Sequence, residues 1–156
     1  MRVMYLVDRP PQDAAKVASW FMEQWGEDSV ELWLPLIGGM LSQRVLPTTF
    51  VAVDAGEIVG TASLVASDSG ALPQYSPWLA SVFVPASAQG RGICAALLRR
   101  VEAEARALGF RRLYFQTAGA IEPYEQLGWR WIGSTIAGHR PTKVLALELD
   151  QVEQAA

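Results

Sequence analysis

The segment that most limits how this chain can fold runs from residue 78 to residue 116. Residues 78–84 form a strongly apolar stretch of strand-forming type. Pro85, Gly90 and Gly92 then break the pattern over residues 85–92. From Ile93 the period changes to that of a helix, with Leu97, Val101, Ala105 and Leu108 completing one apolar stripe and Gly109 ending it. Glu102 and Arg106 stand as an i,i+4 pair on the polar side. A further strand follows over residues 112–116. Strand, loop, helix and strand in this order predict a right-handed crossover between two parallel strands.

The flanking sequence adds strands and helices without any linker, repeat or low-complexity tract. Residues 2–7 read as a strand and 11–25 as a helix, with Ala14, Val17, Ala18, Phe21 and Trp25 on its apolar face. A second helix begins near Ser29, places Leu32, Trp33, Leu36, Ile37 and Met40 on one side, and is made irregular by Pro35 and Gly38-Gly39. Residues 49–54 and 58–66 predict a hairpin turning at Ala55-Gly56-Glu57. Residues 67–77 are a loop rich in turn formers. Residues 120–127 suggest a short helix closed by Gly128, and 129–136 and 143–149 are the last strands. The expectation is an α/β (α+β) mixed sheet of about seven strands with four helices. It forms one domain over residues 1–150, followed by a frayed tail at 151–156.

Composition removes several classes of function. The 156 residues suit a single domain. Hydrophobic residues make up 51% and charged ones 19%, which a disordered chain would not have. A net charge of −3 and a pI near 5.1 make the whole chain a poor partner for nucleic acid or an anionic membrane. Cys94 is the only cysteine, so the chain can form neither an internal disulfide nor a cysteine-built zinc site. The apolar N-terminal stretch is too short for a signal peptide, and no apolar run nears the ~20 residues of a membrane span. A cytoplasmic location is expected, with no metal.

The loop at residues 85–92 carries the chemistry. It delivers an apolar strand into a helix N-terminus, where unpaired N–H groups and a partial positive charge favour an anion. Small residues let phosphate oxygens approach, and Arg91 adds a cation. A nucleotide P-loop would need Lys-Ser or Lys-Thr after the last glycine, where Ile93-Cys94 stands. Gly90, Gly92 and Ala95 match the dinucleotide pattern G-x-G-x-x-A, but residues 85–89 separate the turn from its strand. The next strand ends at Gln116-Thr117 without the acid that would hold a ribose.

Gln89-Gly90-Arg91-Gly92-Ile93-Cys94 resembles the Gln-x-x-Gly-x-Gly/Ala signature of the GNAT superfamily of acyl-CoA-dependent N-acyltransferases, with Cys94 at the last small position. Residues 77–85, 107–117 and the Tyr124-Glu-Gln-Leu-Gly128-Trp129 segment are similar to that superfamily's fourth strand, fifth strand and Tyr-x-x-x-Gly-aromatic motif. The order of elements over residues 1–149 agrees, whereas the first 47 residues match in element order alone. The resemblance implies an N-acetyltransferase moving an acetyl group from acetyl-CoA to a primary amine or peptide acceptor by direct attack. Its alternative is a non-catalytic CoA-binding or interaction module on the same fold. It implies that the backbone of Val82, Phe83 and Val84 pairs with the pantetheine arm. The amides from Gly90 through Arg91, Gly92, Ile93 and Cys94 to Ala95 would take the pyrophosphate. Homodimers are frequent in the superfamily, though no segment here marks an interface.

By the same resemblance, Tyr124 is the general acid that protonates the leaving thiolate, a role suited to a phenol of ordinary pKa ~10. The carboxylate that some relatives carry at the start of the fourth strand is replaced by Trp78. Asp68, at the end of the third strand on a loop within reach of the acceptor, either binds an ammonium group or passes its proton through water, unless it only caps its loop. Glu23, Glu27, Asp28 and Glu31 form an acidic turn that either draws a cationic amine or is simply solvated. His139 reads as a surface loop residue and Cys94 as a small filler. Most of the tryptophans read as core, and Arg99-Arg100 and Arg111-Arg112 as solvated pairs.

Overall fold

The structure, a computed structural model, describes residues 1–24, 46–68, 71–137 and 139–149. The strands are β1 (Arg2–Tyr5), β2 (Thr48–Asp54), β3 (Glu57–Val65), β4 (Trp78–Phe83), β5 (Arg112–Thr117), β6 (Arg130–Ala137) and β7 (Arg140–Glu148). The α-helices are α1 (Pro11–Gln24), α2 (Ile93–Ala107) and α3 (Glu122–Glu125). One seven-stranded sheet has the order β1-β2-β3-β4-β5-β7-β6. All neighbours run antiparallel except β4 and β5, which are parallel as the strand–helix–strand pattern requires.

Two expectations shift and one is not tested. The first strand stops at Tyr5, because residues Leu6–Asp8 wind into a 3-10 turn that buries Leu6. The second of the four expected helices, near residues 29–40, lies outside the described residues. Arg100 is half-buried rather than solvated. It donates to Glu104 at 3.1 Å and lies 4.5 Å from the Phe50 ring centre. Glu104 is only 2% exposed and also accepts the Tyr5 hydroxyl at 2.9 Å. This buried acid ties α2 to β1, a polar contact that an amphipathic stripe does not announce.

Alternation along the strands gives the sheet two covered faces. On one, α2 lays Ile93, Leu97, Leu98, Val101 and Ala105 over Phe50, Ala62, Leu64, Leu79, Leu113 and Leu145. Burying each large aliphatic side chain there contributes ~1.5–3 kcal/mol. Gly60 makes the close approach possible. A Cβ at that position would stand 2.9 Å from Ile93 Cγ2 and 3.0 Å from Leu97 Cδ1. The other face holds two clusters. One sets Val17, Ala18, Trp20 and Phe21 of α1 against Val51 and Val53. The other surrounds Trp78 with Val65, Tyr114, Val144 and Ala146. The β2–β3 hairpin turns through Ala55 (φ 53°) and Gly56 (φ 81°), with Asp54 opposite Glu57. Two left-handed residues are what a tight hairpin turn of this hand demands.

Candidate active site

The site begins where two parallel strands separate. Trp78 of β4 is in register with Tyr114 of β5, and the Tyr114 N–H donates to the Pro77 carbonyl at 3.1 Å. Past this point no further β4–β5 register pair occurs among the described residues. The rest of β4 pairs with β3 only, Ala80 opposite Ser63 and Phe83 opposite Thr61, so three β4 steps match two on β3. The surplus residue is Ser81, at φ 56°, in a conformation that L-residues adopt only when their surroundings hold them there. This bulge turns β4 away from β5 and leaves Val82, Phe83 and Val84 half-buried beside the gap. Phe83 is steadied by Trp20 of α1, with ring centres 5.5 Å apart.

The glycine loop follows at once. Residues Ala86–Ala88 form a 3-10 turn, and the Gln89 amide folds back to the Val84 carbonyl at 3.0 Å. Arg91 reaches Asp54 at 3.1 Å, linking the loop to the β2–β3 turn. Gly90 and Gly92 have φ of 81° and 78°, and a Cβ on either would meet no protein atom within 4 Å. Their requirement is therefore conformational, and the space in front of them is open. Gly92 caps α2 without a side chain, and the helical ladder begins with the Ala96 N–H on the Gly92 carbonyl at 3.1 Å. The amides of Ile93, Cys94 and Ala95 precede that first bond. The arrangement offers an anion a helix N-terminus with small residues around it.

Cys94 is half-buried against the main core cluster, and burial pushes its thiol up from the usual range. A thiol held protonated is a poor nucleophile. Tyr124, on α3, packs against Phe115 of β5 with ring centres 4.9 Å apart. The Trp129 N–H and Leu127 N–H both donate to the Tyr124 carbonyl, at 3.1 and 2.9 Å, which fixes the short helix to the start of β6. Burial, and to a lesser degree the neighbouring Cys94 sulfur, raises the Tyr124 pKa. The phenol therefore keeps its proton throughout the neutral range. Cys94 and Tyr124, far apart in sequence, pack against the same core cluster.

Asp68 lies across the sheet from Tyr124. Gln116 of β5 donates from Nε2 to the Asp68 carbonyl at 2.6 Å and to its Oδ2 at 3.1 Å. Gln116 Oε1 in turn accepts from the buried Thr142 hydroxyl at 3.1 Å. Although Asp68 is open to solvent on its outer side, the protein crowding its inner side raises its carboxyl pKa, opposed by the Gln116 hydrogen bond. Trp78 is fully buried, with its indole N–H on the Tyr75 carbonyl at 2.8 Å, so it takes no part in proton transfer. His139 is exposed in the β6–β7 turn. Of the acidic turn only Glu23 is described, exposed near the end of α1. Among the described residues there is no cluster of metal-ligating side chains, and no helix is long and apolar enough to cross a membrane.

The roles of Gln116 and Thr142 were not visible in the sequence, because their partnership with Asp68 depends on register. Gln116 shares the Tyr114 face by strand alternation, and Thr142 shares it through the pairing of Gln116 with Val144.

Residues 14–129 match the model of the acetyltransferase (GNAT) family. The chain belongs to the GNAT family. Solved structures agree on the fold. An aminoglycoside 6'-N-acetyltransferase complexed with coenzyme A superposes with a TM-score of 0.76 at 17% identity, over 99% of this chain and 100% of that one. The aminoglycoside 6'-N-acetyltransferase from Enterococcus faecium gives 0.75 at 17% identity, over 99% and 100%. A protein from Salmonella typhimurium described as an acetyltransferase, with its cofactor acetyl-CoA, gives 0.74 at 18% identity, over 100% and 98%. No curated protein matches the chain. The GNAT fold accounts for the seven-stranded mixed sheet and for the separation of β4 from β5.

Proposed function

We propose that this GNAT protein is an N-acetyltransferase that moves an acetyl group from acetyl-CoA to a primary amine by direct attack. The observation that carries the reading is the freed edge of β4 leading straight into the glycine loop and the N-terminus of α2. The backbone of Val82, Phe83 and Val84 can pair with the pantetheine amides as an added strand would. The amides from Gly90 to Ala95 receive the pyrophosphate, with Gln89 bracing the loop and Arg91 at its outer side.

The chemistry follows from what borders the gap. The acceptor nitrogen, as free base, attacks the thioester carbonyl. A C–N bond forms, the C–S bond breaks, and the electron pair leaves on sulfur. Tyr124 donates its proton to that sulfur, and the proton released by the new ammonium returns through water to the phenolate. A raised phenol pKa keeps this donor loaded at neutral pH. Asp68, on the opposite face of the sheet, binds the ammonium form of the acceptor before it loses its proton. The two-sided layout lets the acyl donor and the acceptor approach from different faces.

Thiol release from acetyl-CoA, measured with a panel of primary amines, tests the reading. Amine-dependent release with stoichiometric acetylated product supports it. Tight acetyl-CoA binding without release for any amine would favour a binding module instead. Cys94→Ala separates direct attack from an acyl-enzyme route. Turnover is expected to survive, and its complete loss with CoA binding intact would point to a covalent intermediate.

A further inference from the structure

We infer that Gln116 is a positioning residue whose amide holds the Asp68 carboxylate at the β5 lip of the gap, where it selects acceptors that present an ammonium. This rests on the acetyltransferase reading above and deepens it. Gln116 lies two residues past Tyr114, the last position at which β5 is in register with β4, so its side chain borders the opening. Its Nε2 spans the Asp68 carbonyl and carboxylate, at 2.6 and 3.1 Å, which fixes both the loop and the direction of the acid. Its Oε1 accepts from Thr142, 7% exposed, and turning the amide over would set Oε1 against the two Asp68 acceptors, so the hydrogen bonds at both ends favour one orientation. β7 thereby holds β5's amide, and β5 holds the acid.

The charge balance gives the ligand class. Gln116 orients Asp68 without neutralising it. None of the ion pairs among the described residues involves Asp68. Lys143, a cation on the neighbouring stretch of β7, is taken up over the Trp131 ring, 5.4 Å from its centre. On the Gln116 face itself, strand alternation also places Arg112, Arg130, Glu148 and Arg140. Arg112 and Arg130 pair with Glu148 at 2.6 and 3.8 Å, Arg140 is exposed at the start of β7, and the Tyr75 and Tyr114 rings stack 4.4 Å apart. A carboxylate that is oriented, partly desolvated and in no ion pair among the described residues is suited to a cationic group of the acceptor.

The test uses the full chain, with 2-phenylethylamine, spermidine, lysine amide and kanamycin as acceptors in the thiol-release assay. Gln116→Met keeps the side-chain length and removes both donors. It should raise the acceptor KM at least fivefold while kcat stays within twofold and acetyl-CoA affinity is unchanged. Carbon-13 NMR of the Asp68 carboxyl should show its pKa rising in Gln116→Met, because the hydrogen bond that lowers it is gone. Thr142→Val, which frees the amide to turn, should move both readouts in the same direction by less. In an Asp68→Ala background, Gln116→Met should cost nothing further, since Gln116 acts through the acid. An active wild type whose Gln116→Met variant keeps the acceptor KM and the Asp68 pKa would overturn the positioning role alone. A penalty that persists in Asp68→Ala would do the same. A wild type that binds acetyl-CoA but acetylates no member of the panel would overturn the enzymatic reading together with this assignment.

Discussion

Trp78 and Tyr114 form the last register pair between β4 and β5 among the described residues, their rings 5.7 Å apart in a tilted contact. At that pair, and at the Tyr114 N–H bond to the Pro77 carbonyl beside it, the two strands are joined. After it, the bulge at Ser81 carries β4 toward β3, and the sheet opens between a freed backbone edge and the side chains of Phe115 and Gln116. The pair is stabilised from the side by Tyr75, stacked on Tyr114 and accepting the Trp78 indole N–H on its carbonyl. This aromatic group acts as the fixed end of the opening, and the candidate site residues lie beyond it.

Gly92→Glu should weaken acetyl-CoA binding at least tenfold, ~1.4 kcal/mol. Two effects add. The residue at φ 78° must strain to stay left-handed, and its carboxylate faces the place proposed for the pyrophosphate. Titration calorimetry on a folded variant checks this, and unchanged affinity would reject the phosphate assignment.

Tyr124→Phe should lower kcat by at least tenfold, within the ~10²–10⁴ range of positioned acid catalysis. The ring contact with Phe115 survives, so the acetyl-CoA dissociation constant should hardly move. The pH profile gives a second readout. In the wild type the rate rises as the acceptor amine becomes free base. Because the folded phenol titrates above the ordinary ~10, the alkaline fall that reports its deprotonation should lie above that value. The Phe variant should lose that fall. Full kcat in Tyr124→Phe, measured where chemistry limits turnover, would leave water as the proton donor.

Gly60→Val should destabilise the fold by ~1–3 kcal/mol, the usual cost of overpacking. The added side chain meets Ile93 Cγ2, Leu97 Cδ1 and Val84 Cγ2, all within 3.3 Å of the new Cβ. Relief comes by lifting the N-terminal turn of α2, so acetyl-CoA affinity should fall along with the denaturation midpoint. A drop in stability with unaltered CoA affinity would show that the contact strains only the core.

Much of this protein was readable along the chain, because its chemistry is concentrated in continuous segments. The change from strand to loop to helical period at residues 78–108 follows from apolar spacing and glycine position. The anion site proposed at that junction would be built from backbone amides, whose conformation local sequence largely determines. Tyr124 was singled out by resemblance to the family's Tyr-x-x-x-Gly-aromatic motif, through its spacing from Gly128-Trp129. The tertiary structure decided what depends on register between distant segments. Ser81 adopts a positive φ because β3 demands a bulge opposite Thr61 and Ser63, and nothing in the Ser81 side chain announces it. Glu104 looks like a solvent-facing helix acid until β1 brings Tyr5 to it. Gly60 is an ordinary strand glycine until α2 packs across it. Gln116, Asp68 and Thr142 become one hydrogen-bonded group only when β7 pairs with β5 and the loop after β3 folds against both. The backbone of a glycine turn is set by near neighbours in sequence, whereas a strand bulge such as Ser81 and a side chain's partner are set by which strands lie side by side.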